Sequence, residues 1–238
     1  MSDAALRFVN VSKSYGAAAA LCDVTFDVQR GEFFGLAGEN GAGKTTLIKC
    51  LLDLAAIDAG RIEIFGATHR AAGSRARLAF LPERFSPPYY LSGRSFLRYM
   101  LDLHRTGYEE SRSTHTLAGL DLAPGVLDKP ARTYSKGMTQ KLGLAVCLLS
   151  NKELLVLDEP MSGLDPKARA LVMQELRGLR TAGRTVLLTS HALADIEELC
   201  DRMAILHQGR LKFAGAPDEL RGMFGARRLE EAFLACIA

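Results

Sequence analysis

Between residues 36 and 47 the chain reads LAGENGAGKTTL: Gly38, four residues, then Gly43, Lys44 and Thr45. Glycines at 38, 41 and 43, with Glu39, Asn40 and Ala42 between them, let backbone N–H groups turn inward with no side chain in the way. Lys44 can reach β- and γ-phosphates, the Thr45 hydroxyl suits Mg²⁺, and Thr46 opens a helix whose positive N-terminal end favours anions. A second group follows the apolar run LLVL: Asp158, which can hold a Mg²⁺ shell, and Glu159, which can orient or deprotonate an attacking water. Next is His191, directly after a buried run at 186–190 and before a helical pattern, where an imidazole can reach a terminal phosphate and that water. His69, His104, His115 and His207 have no such setting and read as ordinary surface or core histidines.

Those residues need rigid elements behind them. Phe33 to Ala37 reads as a buried strand, and Thr46 to Leu54 as a helix with Leu47, Ile48, Leu51 and Leu52 on its apolar side. Residues 154–157 and 186–188 are continuously apolar, the pattern of parallel strands covered on both faces. Val24, Phe26 and Val28 alternate with Asp23, Thr25 and Asp27, which predicts a half-buried antiparallel strand, and Ile62 and Ile64 suggest another. Asp165 and Pro166 predict a helix start, with Ala168, Leu171, Val172, Leu176 and Leu179 as its core stripe. From about 84 to 150 the pattern becomes helical: Phe96, Leu97, Met100 and Leu101 share a face, residues 106–116 read as exposed, and Ser135 caps a helix ending at Leu149. The expected fold is α/β: a parallel-sheet core with helices, an antiparallel β subdomain and a helical insertion, within one domain over residues 1–238.

With 238 residues, 48% hydrophobic, the chain can bury a substantial core, and a net charge of +3 makes no case for nucleic acid. The five cysteines, Cys22, Cys50, Cys147, Cys200 and Cys236, match no zinc spacing, and four lie in apolar segments, as buried reduced thiols would. MSDAALRFVN lacks the apolar core of a signal peptide, and the longest apolar run, residues 142–149, is far short of a membrane span. A soluble chain is expected, its only low-complexity stretch the alanines at 17–20, with no sizeable regulatory domain after Gly222.

Together these motifs resemble the ATP-binding subunit of ABC transporters, over essentially the whole chain. Residues 38–45 match the Walker A loop, 154–159 the Walker B strand, Ser162, Gly163, Leu164 and Asp165 the D-loop, and His191 the switch histidine. Tyr134, Ser135, Lys136, Gly137 and Met138 stand where the LSGGQ signature belongs, and Tyr15 takes the place of the aromatic that stacks on adenine. Lys136 and Met138 depart from the usual glycine and glutamine, a form resembling ATPases of ABC-2 type exporters. Glu83 stands where the Q-loop has glutamine, keeping an oxygen for Mg²⁺ but losing the amide donor.

The resemblance implies ATP and Mg²⁺ as cofactors, with Thr45, Asp158 and Glu83 around the metal and Lys44, Glu159 and His191 in the hydrolytic centre. It implies a head-to-tail dimer, a homodimer being expected, in which Ser135, Lys136, Gly137, Met138 and Asp165 meet the nucleotide of the other chain. It implies a separate integral membrane permease and a cytoplasmic chain peripheral on the inner face of the cell membrane. A soluble ABC ATPase of chromosome or repair work would carry coiled coils or zinc modules. An unrelated P-loop kinase does not account for the stretches at 134–138 and 162–165, and a non-catalytic cassette does not account for intact Lys44, Asp158, Glu159 and His191.

Overall fold

The structure is a computed structural model and describes residues 4–238. Two sheets form among these residues. The smaller is antiparallel, in the order β2 (Ala18–Gln29), β1 (Ala4–Tyr15), β4 (Ala59–Ile64), β5 (Ala67–Thr68). The larger has the order β10 (Arg210–Gly215), β9 (Arg202–His207), β3 (Phe33–Ala37), β8 (Thr185–Thr189), β7 (Leu154–Leu157), β6 (Leu78–Leu81). Its strands are parallel apart from the edge strand β10.

Strand alternation splits the larger sheet into two apolar faces. Phe34, Leu36, Val156 and Leu187 face the antiparallel sheet and α1 (Lys44–Leu51). Phe8, Phe26 and Phe34 stack in sequence, with centroids 4.6 and 5.3 Å apart, and join the two sheets. Such aromatic contacts contribute about 1 kcal/mol each beyond area burial. The opposite face, through Phe33, Leu155, Leu157 and Leu188, packs against helices. After the four-residue turn α2 (Ala72–Arg75) these are α3 (Gly93–Leu103), α4 (Glu110–Gly119), α5 (Lys136–Leu149), α6 (Pro166–Thr181), α7 (Leu193–Leu199), α8 (Pro217–Phe224) and α9 (Leu229–Ile237).

Several expectations are corrected. The helix after the glycine loop starts at Lys44 and not Thr46, because Gly43 already serves as its N-cap residue, and it ends at Leu51. The alanines at 18–20 form the start of β2 and are no linker, since they pair with Tyr15, Ser14 and their neighbours across the hairpin. Residues 110–116 of the stretch 106–116 belong to the helix α4, which buries Ser113 and Leu117. On α6, Met173 is buried where Leu171 was expected, because α4 and α7 both pack on that helix. Three cysteines, Cys50, Cys147 and Cys200, are buried, while Cys22 and Cys236 are half-buried; all five are free thiols.

Candidate functional site

Parallel register brings the ends of four strands to one edge of the larger sheet. Phe33 pairs with Val186, Leu36 with Thr189, Leu157 with Leu188 and Leu81 with Leu157. The chain leaving those ends carries Gly38, Asp158, Ser190 with His191, and Glu83, all lining one cavity of about 710 Å³. Residues distant in sequence meet there because they follow neighbouring strands, at the carboxyl edge where open α/β sheets bind ligands.

Glu39, Asn40, Gly41, Ala42, Gly43, Lys44, Thr45 and Thr46 form the cavity floor. Gly43 has φ of 110°, and a Cβ there would lie 2.7 Å from the Ala20 carbonyl oxygen, so only glycine fits. Lys44 is buried, its Nζ donating to the carbonyls of Gly38 (2.6 Å) and Glu39 (3.2 Å). Burial lowers its pKa, against the opposing pull of Glu159, Asp158 and Glu83. An anion between the loop N–H groups and Lys44 would meet converging donors backed by a helix N-terminus.

Asp158 is 3% exposed. Burial raises its pKa and Glu83 adds to that, while the Thr189 hydroxyl, Lys44 and the Thr45 hydroxyl act the other way. The Thr189 hydroxyl donates to Asp158 Oδ1 at 2.7 Å and accepts the Glu159 N–H at 2.8 Å. Three carboxylates, Glu83, Asp158 and Glu159, therefore surround one lysine, an excess of negative charge that a divalent cation held by Asp158 and Thr45 would offset. Among the described residues no cluster of three His, Cys, Asp or Glu has the arrangement of a metal site. His191 Nδ1 lies 2.8 Å from Glu159 Oε2, while the ring itself is largely exposed.

The remaining expected residues lie elsewhere. Ser135, Lys136, Gly137 and Met138 do not line this cavity. They form the outward start of α5, where the Ser135 hydroxyl accepts the Met138 N–H. They pack beside the turn at 162–164, with Lys136 Nζ 3.4 Å from Ser162 Oγ. The Asp165 carboxylate accepts the Ala168 N–H and caps α6. Tyr15 is 51% exposed at the end of β1 and is not part of the cavity lining. His207 proves less bland than its sequence setting, with Nδ1 3.5 Å from Glu39 Oε2.

Some site residues escaped the sequence. Ala20, Leu193 and Phe233 also line the cavity, as does Ser162, which the sequence marked only as part of the D-loop match. Thr189 and Gln140 hold the Asp158–Glu159 turn, Gln140 through its side-chain amide. Gln140 had one available signal, a polar residue at the head of a helix whose next nine residues are all buried. Phe233 had none, since α9 reaches the cavity only through tertiary packing on α7, α8 and β10.

Comparison with known proteins supplies independent findings. A family model described as ABC transporter matches residues 21–162. The daunorubicin resistance ATP-binding protein DrrA3 of Streptomyces coeruleorubidus is 38% identical, covering 97% of this chain and 74% of its own length. The Nod factor export ATP-binding protein I of Sinorhizobium fredii is 37% identical, over 92% of this chain and 65% of its own. The solved structure of an ATP binding subunit of an ABC transporter superposes with a TM-score of 0.88 at 33% identity, over 97% of this chain and 98% of that one. Across the first curated relatives, the chain spans 58 to 74% of their length.

Proposed function

The chain belongs to the ABC transporter ATP-binding family, and from that premise we propose that residues 1–238 form one cassette that hydrolyses ATP to drive transport through a separate membrane permease. The observation that carries this is the convergence of Lys44, Asp158, Glu159 and His191 on one cavity while Ser135–Met138 lie outside its lining. A lone chain supplies half of each contact set, which favours two copies meeting head to tail. Each would then present Ser135 and Gly137 to the γ-phosphate held by the other chain's Lys44, with Asp165 nearby.

Phosphoryl transfer to water is mostly positioning and charge stabilisation. The loop N–H groups and Lys44 would hold the β- and γ-phosphates. Thr45, Asp158 and Glu83 would hold Mg²⁺, which supplies charge neutralisation at those phosphates. Glu159 would accept a proton from the attacking water, with His191 restraining its Oε2 at 2.8 Å. Tyr15 lies on the hairpin whose Ala20 lines the cavity, in reach of an adenine extending beyond it.

No helix among the described residues is long and apolar enough to cross a membrane. The proposal puts the path across the bilayer in the permease, with the cassette docked on its cytoplasmic face. The roles in the names of the two relatives, daunorubicin resistance and Nod factor export, favour outward transport.

Glu159→Gln tests the centre. Loss of the base is expected to lower kcat by about 10²–10⁴ while leaving the phosphate contacts, so that a dimer accumulates with ATP and Mg²⁺ on sizing chromatography. Wild-type hydrolysis by this variant would refute the role of Glu159, and a strictly monomeric variant would refute the dimer.

A further inference from the structure

We propose that Gln140 is a positioning residue for Glu159, holding that glutamate's backbone in a conformation it would otherwise leave. The inference rests on Glu159 as the group that handles the attacking water. Gln140 is 3% exposed on α5. Its Nε2 donates to the carbonyl oxygens of Glu159 (3.3 Å) and Pro160 (3.1 Å). Both neighbours are pure acceptors, so the amide must present its NH₂ to them, and each of its two hydrogens has a partner.

Glu159 needs such a hold because its φ is 50°. That left-handed conformation is unfavourable for a residue with a side chain, and it persists where the surroundings over-determine it. Two elements do so here. On one side Thr189, at the end of β8, accepts the Glu159 N–H at 2.8 Å. On the other, Gln140 from α5 reaches the Glu159 carbonyl, which also accepts the Ser162 N–H at 3.0 Å, and anchors the adjoining Pro160 carbonyl. Without Gln140 the Glu159 carbonyl keeps only the Ser162 N–H of its own turn (3.0 Å) and the Pro160 carbonyl loses its side-chain donor, so the turn is no longer tied to α5 and can relax toward negative φ, swinging the carboxylate. The carboxylate itself would then be restrained only by the 2.8 Å contact with His191, whose side chain is 70% exposed, while Thr189 still holds the Glu159 N–H.

Placement on α5 adds meaning to the contact. Gln140 lies five residues after the cap Ser135, roughly 7 Å along the axis. The helix therefore keeps its start outside the lining of its own cavity and, about one and a half turns on, grips the turn that carries its own Glu159. Gln140 does not line the cavity, and its side-chain hydrogen bonds go to Glu159 and Pro160, so its effect should fall on the chemical step and spare nucleotide binding.

The test is Gln140→Met in the full chain, a near-isosteric change that removes the side-chain amide and with it the donor to both carbonyls. Three quantities are read: kcat at saturating ATP and Mg²⁺, the ATP dissociation constant by calorimetry, and the residual rate when the change is added to Glu159→Gln. We expect kcat to fall about tenfold, as loss of a buried donor implies, with ATP affinity within about twofold of wild type. In the Glu159→Gln background the added change should alter the residual rate by less than about twofold, because the two act as one unit. Gln140→Asn keeps an amide one methylene short of the carbonyls. It is expected to lose rate in the same direction and decides the matter if the Met variant does not fold. Wild-type kcat in either folded variant overturns the proposal. So does an equal loss of ATP affinity and kcat, or a full tenfold loss on top of Glu159→Gln. Should Glu159→Gln alone hydrolyse ATP at the wild-type rate, the role of Glu159 falls first and Gln140 has nothing to position.

Discussion

Gly43→Ala and Gly41→Ala should differ in cost, and the difference isolates one contact. Both glycines have positive φ, 110° at Gly43 and 83° at Gly41. At Gly41 nothing lies within 4 Å of an added Cβ, so the penalty is the backbone conformation alone, about 1 kcal/mol. At Gly43 the φ lies farther from the left-handed minimum, raising that term to about 2 kcal/mol. The new Cβ would also stand 2.7 Å from the Ala20 carbonyl oxygen and 3.0 Å from Leu21 Cδ2. Ala20 and Leu21 sit in β2, paired along β1, so they yield only by moving the hairpin, which adds about 1 kcal/mol. The entropy that alanine removes from the unfolded chain is common to both variants and cancels. The totals are about 3 and about 1 kcal/mol; for a chain of this size they correspond to Tm losses of roughly 6–12 °C and 2–4 °C. Calorimetry of the nucleotide-free variants at one pH and salt concentration is the assay. Equal shifts would mean that β2 gives way freely and that the Ala20 contact does not dictate glycine at 43.

Three other outcomes follow from the geometry. Ser135→Arg should abolish hydrolysis yet leave ATP affinity of the monomer within about twofold, because Ser135 lies outside its own chain's cavity; calorimetric titration of a dilute variant showing tenfold weaker binding would place Ser135 in the wrong site. Glu83→Gln should keep ATP binding, whereas Glu83→Ala should lower permease-stimulated hydrolysis more than basal hydrolysis, read as rates across a Mg²⁺ titration; rates equal to wild type throughout would reduce Glu83 to a turn residue. Burial pushes the Cys147 thiol up to about 12 and raises those of Cys200 and Cys50 as well, so at pH 8 only about one in ten thousand Cys147 side chains is a thiolate. Iodoacetamide should therefore spare these three in the native chain and modify all five in denaturant, as mass spectrometry would register; rapid native labelling of Cys147 would contradict its burial.

The parts of this protein legible in the sequence are those whose chemistry is contiguous. The phosphate loop works through the backbone of neighbouring residues, so Gly38, Gly43, Lys44 and Thr45 declare it by spacing alone, and the apolar runs before Asp158 and His191 declare strands buried on both faces. Even Ser135 and Asp165 were readable as helix caps, because a cap acts on an N–H three residues away. What the sequence could not reveal is which strand lies beside which. The order β3-β8-β7-β6 puts Thr189 against the Asp158–Glu159 turn, 30 residues away along the chain, and brings Gln140 onto Glu159 from 19 residues upstream. The same packing carries Phe233 to the cavity and leaves Tyr15 outside its lining. Local motifs are short-range agreements between a residue type and its own backbone. The conformation of Glu159, left-handed and held from two sides, results from contacts between distant elements that only the folded sheet and its helices bring together.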